Sequence, residues 1–111
     1  MQNWIEEFNA AITVTDRDFV VIYMNNKAAA TFEKWGGSEL IGKNLSNCHK
    51  ERSMAIMRQI LETGTPNTYT IEKNGIKKMV FQTPWKKSGA IAGLVEISFE
   101  IPWDMEHYVR N

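Results

Sequence analysis

The stretch Asn25–Gly64, NNKAAATFEKWGGSELIGKNLSNCHKERSMAIMRQILETG, reads as a chain of short helices interrupted by one loop. Asn25 and Asn26 supply N-cap oxygens for a first helix, on which Ala28, Phe32 and Trp35 recur at i, i+4 and i+7 and so share a face. Gly36-Gly37 ends that helix, because glycine adopts the left-handed conformation a helix terminus needs. Ser38 caps one more turn, which Gly42 closes. After the loop Asn44–His49 a second helix runs from about Glu51 to Thr63. Met54, Met57 and Leu61 line one face of it with Ile60 beside them, and Gly64 and Pro66 close it.

Outward from this stretch the periodicity changes to that of strands. Ala11–Thr15 and Phe19–Met24 are rich in β-branched and aromatic residues and flank Asp16-Arg17-Asp18, a hairpin turn. On the C-terminal side Thr68–Lys73 is a strand, and Asn74-Gly75 is a strong two-residue hairpin signal. Met79, Phe81, Thr83 and Trp85 then alternate with Val80, Gln82 and Pro84. Lys86–Gly89 turns the chain, and Ile91, Gly93, Val95, Ile97 and Phe99 mark the expected inward face of a last strand. At the N-terminus Asn3 and Glu6 stand in capping-box spacing, which predicts a short helix over residues 1–9 with Trp4, Ile5 and Phe8 on one face. Such a helix is too short to persist alone and must dock on its own sheet or on a partner. Beyond Pro102, Trp103–Asn111 reads as helical, with Met105, Tyr108 and Val109 on one side.

Two strands, helices, then three strands is an α+β pattern: one antiparallel sheet with helices segregated to one face. The asparagine after the second strand, the helix ending in Gly36-Gly37, the turn SELIGKN (Ser38–Asn44) and the final three strands stand in the order found in PAS sensor domains. The chain resembles that family over almost its whole length. The resemblance implies a five-stranded antiparallel sheet covered by the middle helices, with any ligand kept between the two. It divides the chain into an N-terminal cap (1–9), the PAS domain (10–101) and a C-terminal extension (102–111). It also implies a sensing or interaction module rather than an enzyme.

Composition narrows the function classes. At 111 residues there is room for one domain, and a chain of this size buries roughly 60–70% of its unfolded surface, enough for a core without disulfides or metal. Lys plus Arg equals Asp plus Glu, 13 each, so no overall field draws in nucleic acid or acidic lipid. A single cysteine forms no internal disulfide, no signal peptide is legible, and no stretch is long enough to span a membrane. The expected setting is cytoplasmic, with neither nucleic acid nor membrane as partner. There is no Ser-His-Asp set, no paired carboxylates in an apolar context and no glycine-rich phosphate loop, and no enzymatic activity is expected.

Four groups of residues could carry function. Cys48 sits where, by resemblance, the photoactive-yellow-protein branch of the family attaches its chromophore, and IGKN (Ile41–Asn44) matches that branch. The Tyr and Glu that would hold a phenolate have no counterparts in MNNKA (Met24–Ala28), and a lone cysteine otherwise packs as a small hydrophobe. The flavin-binding branch's GxNCRFLQ motif is met only by Gly42 and Asn44. His49 could be a haem ligand, the alternative to a domain with no cofactor, although haem-binding relatives place their histidine near Met54 or Ala55. Zinc lacks a set of four ligands. Tyr69, Phe81 and Trp85 on the sheet and Met54 and Met57 on the covering helix would wall an apolar cavity. With Cys48 and His49 they form the expected site for a small organic ligand, or else a filled core. In that second case the domain would act by homodimerisation through Trp4, Ile5 and Phe8. An output protein that reads the signal is expected and not identified.

Overall fold

The computed structural model describes residues 3–47 and 49–111. The strands are β1 (Ala11–Thr15), β2 (Val21–Met24), β3 (Asn67–Lys73), β4 (Ile76–Lys87) and β5 (Ala90–Ile101). Between β2 and β3 come the helix α1 (Asn26–Thr31), three short 3-10 turns at Glu33–Trp35, Gly37–Leu40 and Leu45–Asn47, and the helix α2 (Glu51–Thr63). All pairings are antiparallel and the order across the sheet is β2-β1-β5-β4-β3, so the first and last strands meet at its centre.

Tight turns set the registers. Asn74 and Gly75 have φ of 53° and 78°, the pair of positive values a type I′ hairpin needs. Ser88 and Gly89, at 53° and 85°, repeat the device between β4 and β5. Gly75→Val should lower stability by more than about 1 kcal/mol, because a β-branched residue resists positive φ. Urea denaturation checks this, and an unchanged midpoint would contradict the turn geometry.

The face of the sheet turned toward the helices carries Thr13, Thr15, Val80, Gln82, Leu94 and Glu96, rather than the expected Phe81, Trp85, Val95 and Ile97. In β5 the reason is a β-bulge. Trp85 pairs with Gly93 but Lys86 pairs with Ile91, leaving Ala92 without an opposite residue. Ile91 therefore packs on the α2 core as expected, whereas the residues after the bulge are out of phase by one and Leu94 joins that core instead. Val95, Ile97, Phe81 and Trp85 lie on the outer face. The same bulge brings Gly93 against β1, where the Trp85 indole donates to the Thr15 carbonyl at 2.8 Å.

Two clusters fill the space between helices and sheet. Met54, Met57, Ile60 and Leu61 of α2 pack with Phe19 and Leu94. Ala28 of α1 packs with Ala11, Val21 and Met24, and Phe32, Leu40 and Leu45 lean on them. Strand β2 begins at Val21, not Phe19, because Phe19 turns into the left-handed region with φ of 64°. The Asp16 carboxylate receives the Asp18 and Val20 amides there, at 2.9 and 3.0 Å. Helix α1 is likewise shorter than its apolar period suggests. Phe32 leaves helical geometry as its cap, and Trp35 is left 55% exposed on the following turn.

Among the described residues, neither terminal helix expected from the sequence forms. Residues 3–9 form turns, closed by Glu6 N–H to Asn3 C=O and Phe8 N–H to Ile5 C=O. The segment is fixed from outside: the Asn25 amide donates to the Ile5 carbonyl, the Asn26 N–H to the Glu6 carbonyl, and the Tyr23 hydroxyl to the Glu6 carboxylate. Seven residues cannot repay helix nucleation against such partners. Residues 102–111 are also non-helical and exposed. Trp103 is drawn back onto the hairpin, its indole donating to the Gly75 carbonyl at 3.2 Å and the Lys77 ammonium lying 5.6 Å from its ring centre.

Candidate functional site

Strand alternation after the bulge puts an unusual set of side chains on the inner face. Thr13 of β1 stands beside Glu96 of β5, Glu96 beside Gln82 of β4, and Gln82 beside Asn67 of β3. These last three are hydrogen-bonded in series: Asn67 Nδ2 donates to Gln82 Oε1 at 3.0 Å, and Gln82 Nε2 donates to Glu96 Oε1 at 2.9 Å. A carboxylate only accepts, so Glu96 fixes which end of the Gln82 amide faces it. Gln82 itself is 5% exposed, and its burial is tolerable because both ends of the amide are bonded.

The opposite wall comes from the middle of the chain. The loop of Lys43–Leu45 is zipped to the start of β2 by Val21 N–H to Lys43 C=O, Gly42 N–H to Val21 C=O and Leu45 N–H to Phe19 C=O, at 2.7 to 2.9 Å. This pairing also covers the free edge of β2. It carries the chain to His49, whose Nδ1 lies 3.2 Å from the Leu45 carbonyl.

Between the walls lie an enclosed cavity and an open cleft. The cavity, about 30 Å³, is bounded by apolar side chains such as Val21, Phe32, Met57 and Leu94, with Thr13, His49 and Glu96 among them. It holds roughly one water. The cleft, about 440 Å³, runs outward from the same Phe32, His49 and Glu96 past Trp35, Tyr69, Ile71, Val80 and Ser98, and is of the size that small-molecule sites occupy. Burial, then the nearby Glu96 carboxylate, raise the Tyr69 phenol above its ordinary range, so Tyr69 presents a hydroxyl rather than a phenolate.

The residues singled out from sequence are divided among four places. His49 and Met57 bound the enclosed cavity, and His49 and Tyr69 the cleft. Met54 is 4% exposed within the α2 core. Phe81 and Trp85 are on the far side of the sheet, at β4 positions that alternate with the inward Val80 and Gln82. Cys48 lies outside the described residues. Trp4 and Phe8 are exposed at 61% and 46%, their rings meeting edge to face at 5.4 Å, and Ile5 is half-buried. Sequence reading missed Glu96, Asn67, Thr13, Phe32 and Trp35 as site residues. The signal for the first was a lone carboxylate in the apolar run AGLVEISF (Ala92–Phe99).

His49 borders both spaces: the cavity of about 30 Å³ is far smaller than a haem macrocycle, whereas the cleft is about 440 Å³. Among the described residues no three His, Cys, Asp or Glu side chains converge as a metal site, and no helix is long and apolar enough to cross a membrane.

A family model described as the PAS fold matches residues 5–101. The chain belongs to the PAS family. As a PAS domain it is a sensory or signalling module, and solved structures carry the same fold. The PAS domain of the histidine kinase ThkA superposes with a TM-score of 0.67 at 14% identity, covering 81% of this chain and 97% of that one. The Aer2 receptor of Vibrio cholerae, described as a dual PAS-heme oxygen sensor, gives 0.66 at 17% identity over 84% and 95%. VqmA bound to DPO gives 0.65 at 19% identity, covering 88% of this chain and 55% of that one. No curated protein matches the sequence.

Proposed function

We propose that this PAS domain senses a small organic ligand held in the cleft between the His49 loop and the inner face of β3, β4 and β5. The observation that carries the reading is a roughly 440 Å³ cleft with Glu96 on its wall, the end of the hydrogen-bonded series Asn67–Gln82–Glu96, among aromatic and aliphatic side chains. A carboxylate held in place beside aromatic and aliphatic side chains is the kind of fixed polar group that orients a ligand. Occupancy would favour one arrangement of Phe32, His49 and Met57 over another, and the helices would pass that preference to an output protein. Native mass spectrometry of protein purified from its host tests this. A bound mass is expected, and it should be lost in Ser98→Phe, which fills the cleft. Wild-type protein with no adduct, in preparations from several growth conditions, would count against it.

A second reading, homodimerisation, is favoured by a separate observation. The outer face of the sheet carries the half-buried Val14, Met79, Phe81, Val95 and Ile97 and the exposed Phe99, and Trp4 and Phe8 expose their rings. Contiguous apolar surface of this kind marks a partner site. Trp4→Ser with Phe8→Ser should shift sedimentation from dimer to monomer. A dimer that survives the double substitution would place the contact on the sheet face alone.

A further inference from the structure

Glu96 is the one carboxylate on the wall shared by cavity and cleft. One of its oxygens is taken by Gln82, and among the described residues no group donates to the other. The only ion pair among the described residues is Arg58–Glu51, on the exposed side of α2, so Glu96 has no cation beside it. His49, Lys73 and Lys78 also border the cleft; Lys73 stands six residues along β3 from Asn67, and Lys78 stands four residues along β4 from Gln82, the partner of Glu96. The shorter of these is roughly 14 Å along the strand, beyond the distance at which salt screens exposed charges. A half-buried carboxylate with an unused acceptor, in a cleft also lined by the rings of Phe32, Trp35 and Tyr69, is complementary at that point to a donor-bearing ring.

Building on the cleft as the ligand site, we propose that it selects small aromatic molecules carrying a protonated amine or a ring N–H, which donates to Glu96 Oε2 while the ring lies against Trp35 and Tyr69. The unused carboxylate acceptor and the aromatic faces both favour a cation or strong donor at this point. The Asn67–Gln82 series holds the carboxylate in place, and Tyr69, kept as a hydroxyl, adds no competing negative charge.

Three probes sharing one ring separate the elements of this claim: benzylamine, benzyl alcohol and benzoate. Each is titrated into the wild-type chain and into Glu96→Gln, which keeps size and hydrogen bonding but removes the charge. Affinity is followed at the Trp35 indole N–H by NMR. Benzylamine should bind at least about tenfold more tightly than benzoate, and Glu96→Gln should erase that preference, as expected for one charge-assisted hydrogen bond. Benzoate binding as tightly as benzylamine, or a preference unchanged in Glu96→Gln, would overturn the assignment while leaving the cleft as a ligand site. If no probe moves the Trp35 signal, the assignment and the cleft reading fall together.

Discussion

Gly93→Ala should cost about 3 kcal/mol of stability, at the upper end for an added methylene. A Cβ at Gly93 would sit 1.9 Å from the Thr15 carbonyl oxygen and 2.6 Å from the Trp85 indole nitrogen, the two atoms that are hydrogen-bonded to each other at 2.8 Å. Neither is the loose end of a flexible chain. To admit the methyl group, β1 must leave β5 at the centre of the sheet or the indole must swing away and lose its acceptor. Gly42→Ala is the matched comparison: nothing lies within 4 Å, but φ is +92°, so its cost is backbone strain alone, about 1 kcal/mol. Chemical denaturation of both variants checks the prediction, and equal losses would mean that contact at Gly93 is not the cause.

Asn25→Leu should be more damaging, by about 4 kcal/mol or more. Asn25 is fully buried and uses every hydrogen-bonding position of its amide. Oδ1 accepts from the Ile12 N–H at 2.9 Å and the Ala28 N–H at 3.0 Å, and Nδ2 donates to the Ile5 and Ala10 carbonyls at 2.9 and 2.8 Å. One side chain thus caps α1, bonds the backbone of β1 and pins the N-terminal turns. Leucine has similar volume but would leave four backbone groups without this partner, and each buried orphan costs about 1–3 kcal/mol. Asn25→Asp separates hydrogen bonding from shape, since it retains both acceptors while turning a carboxylate oxygen toward two carbonyls. A stability near wild type for Asn25→Asp would show that the donated bonds contribute little. In the leucine variant, amide exchange should quicken first at Ile12 and Ala28.

These two positions also mark what could be read from the chain. Asn25 was legible as a helix cap because capping is local, and the strands, the Asn74-Gly75 hairpin and α2 followed from period and turn chemistry in the same way. Its reach to Ile5 and Ala10 was not legible, being tertiary, and those same contacts replaced the expected N-terminal helix by turns. Gly93 could be seen as a break in an apolar strand, but not as a bulge. That single unpaired residue shifts the phase of β5 and brings Leu94 and Glu96 inward, while the unbroken alternation of β4 carries Val80 and Gln82 inward and Phe81 and Trp85 outward. The polar series itself depends on register across β3, β4 and β5, which no one strand encodes. Phe32 and Trp35 carry helical spacing, yet the chain leaves the helix at Phe32, which frees both rings for the cleft.

The four tryptophans give the most direct test of where this domain senses. Trp35 lines the cleft, Trp85 lies on the outer face of the sheet, Trp103 is bonded to the β3–β4 turn, and Trp4 is in the N-terminal turns. A nitrogen-edited spectrum shows one indole signal for each. When the small molecule released from natively purified protein is returned to the stripped domain, the Trp35 signal should move most, and it should stay still in Ser98→Phe. Movement confined to Trp85 or Trp4, with Trp35 unchanged, would contradict the account and place binding on the outer face.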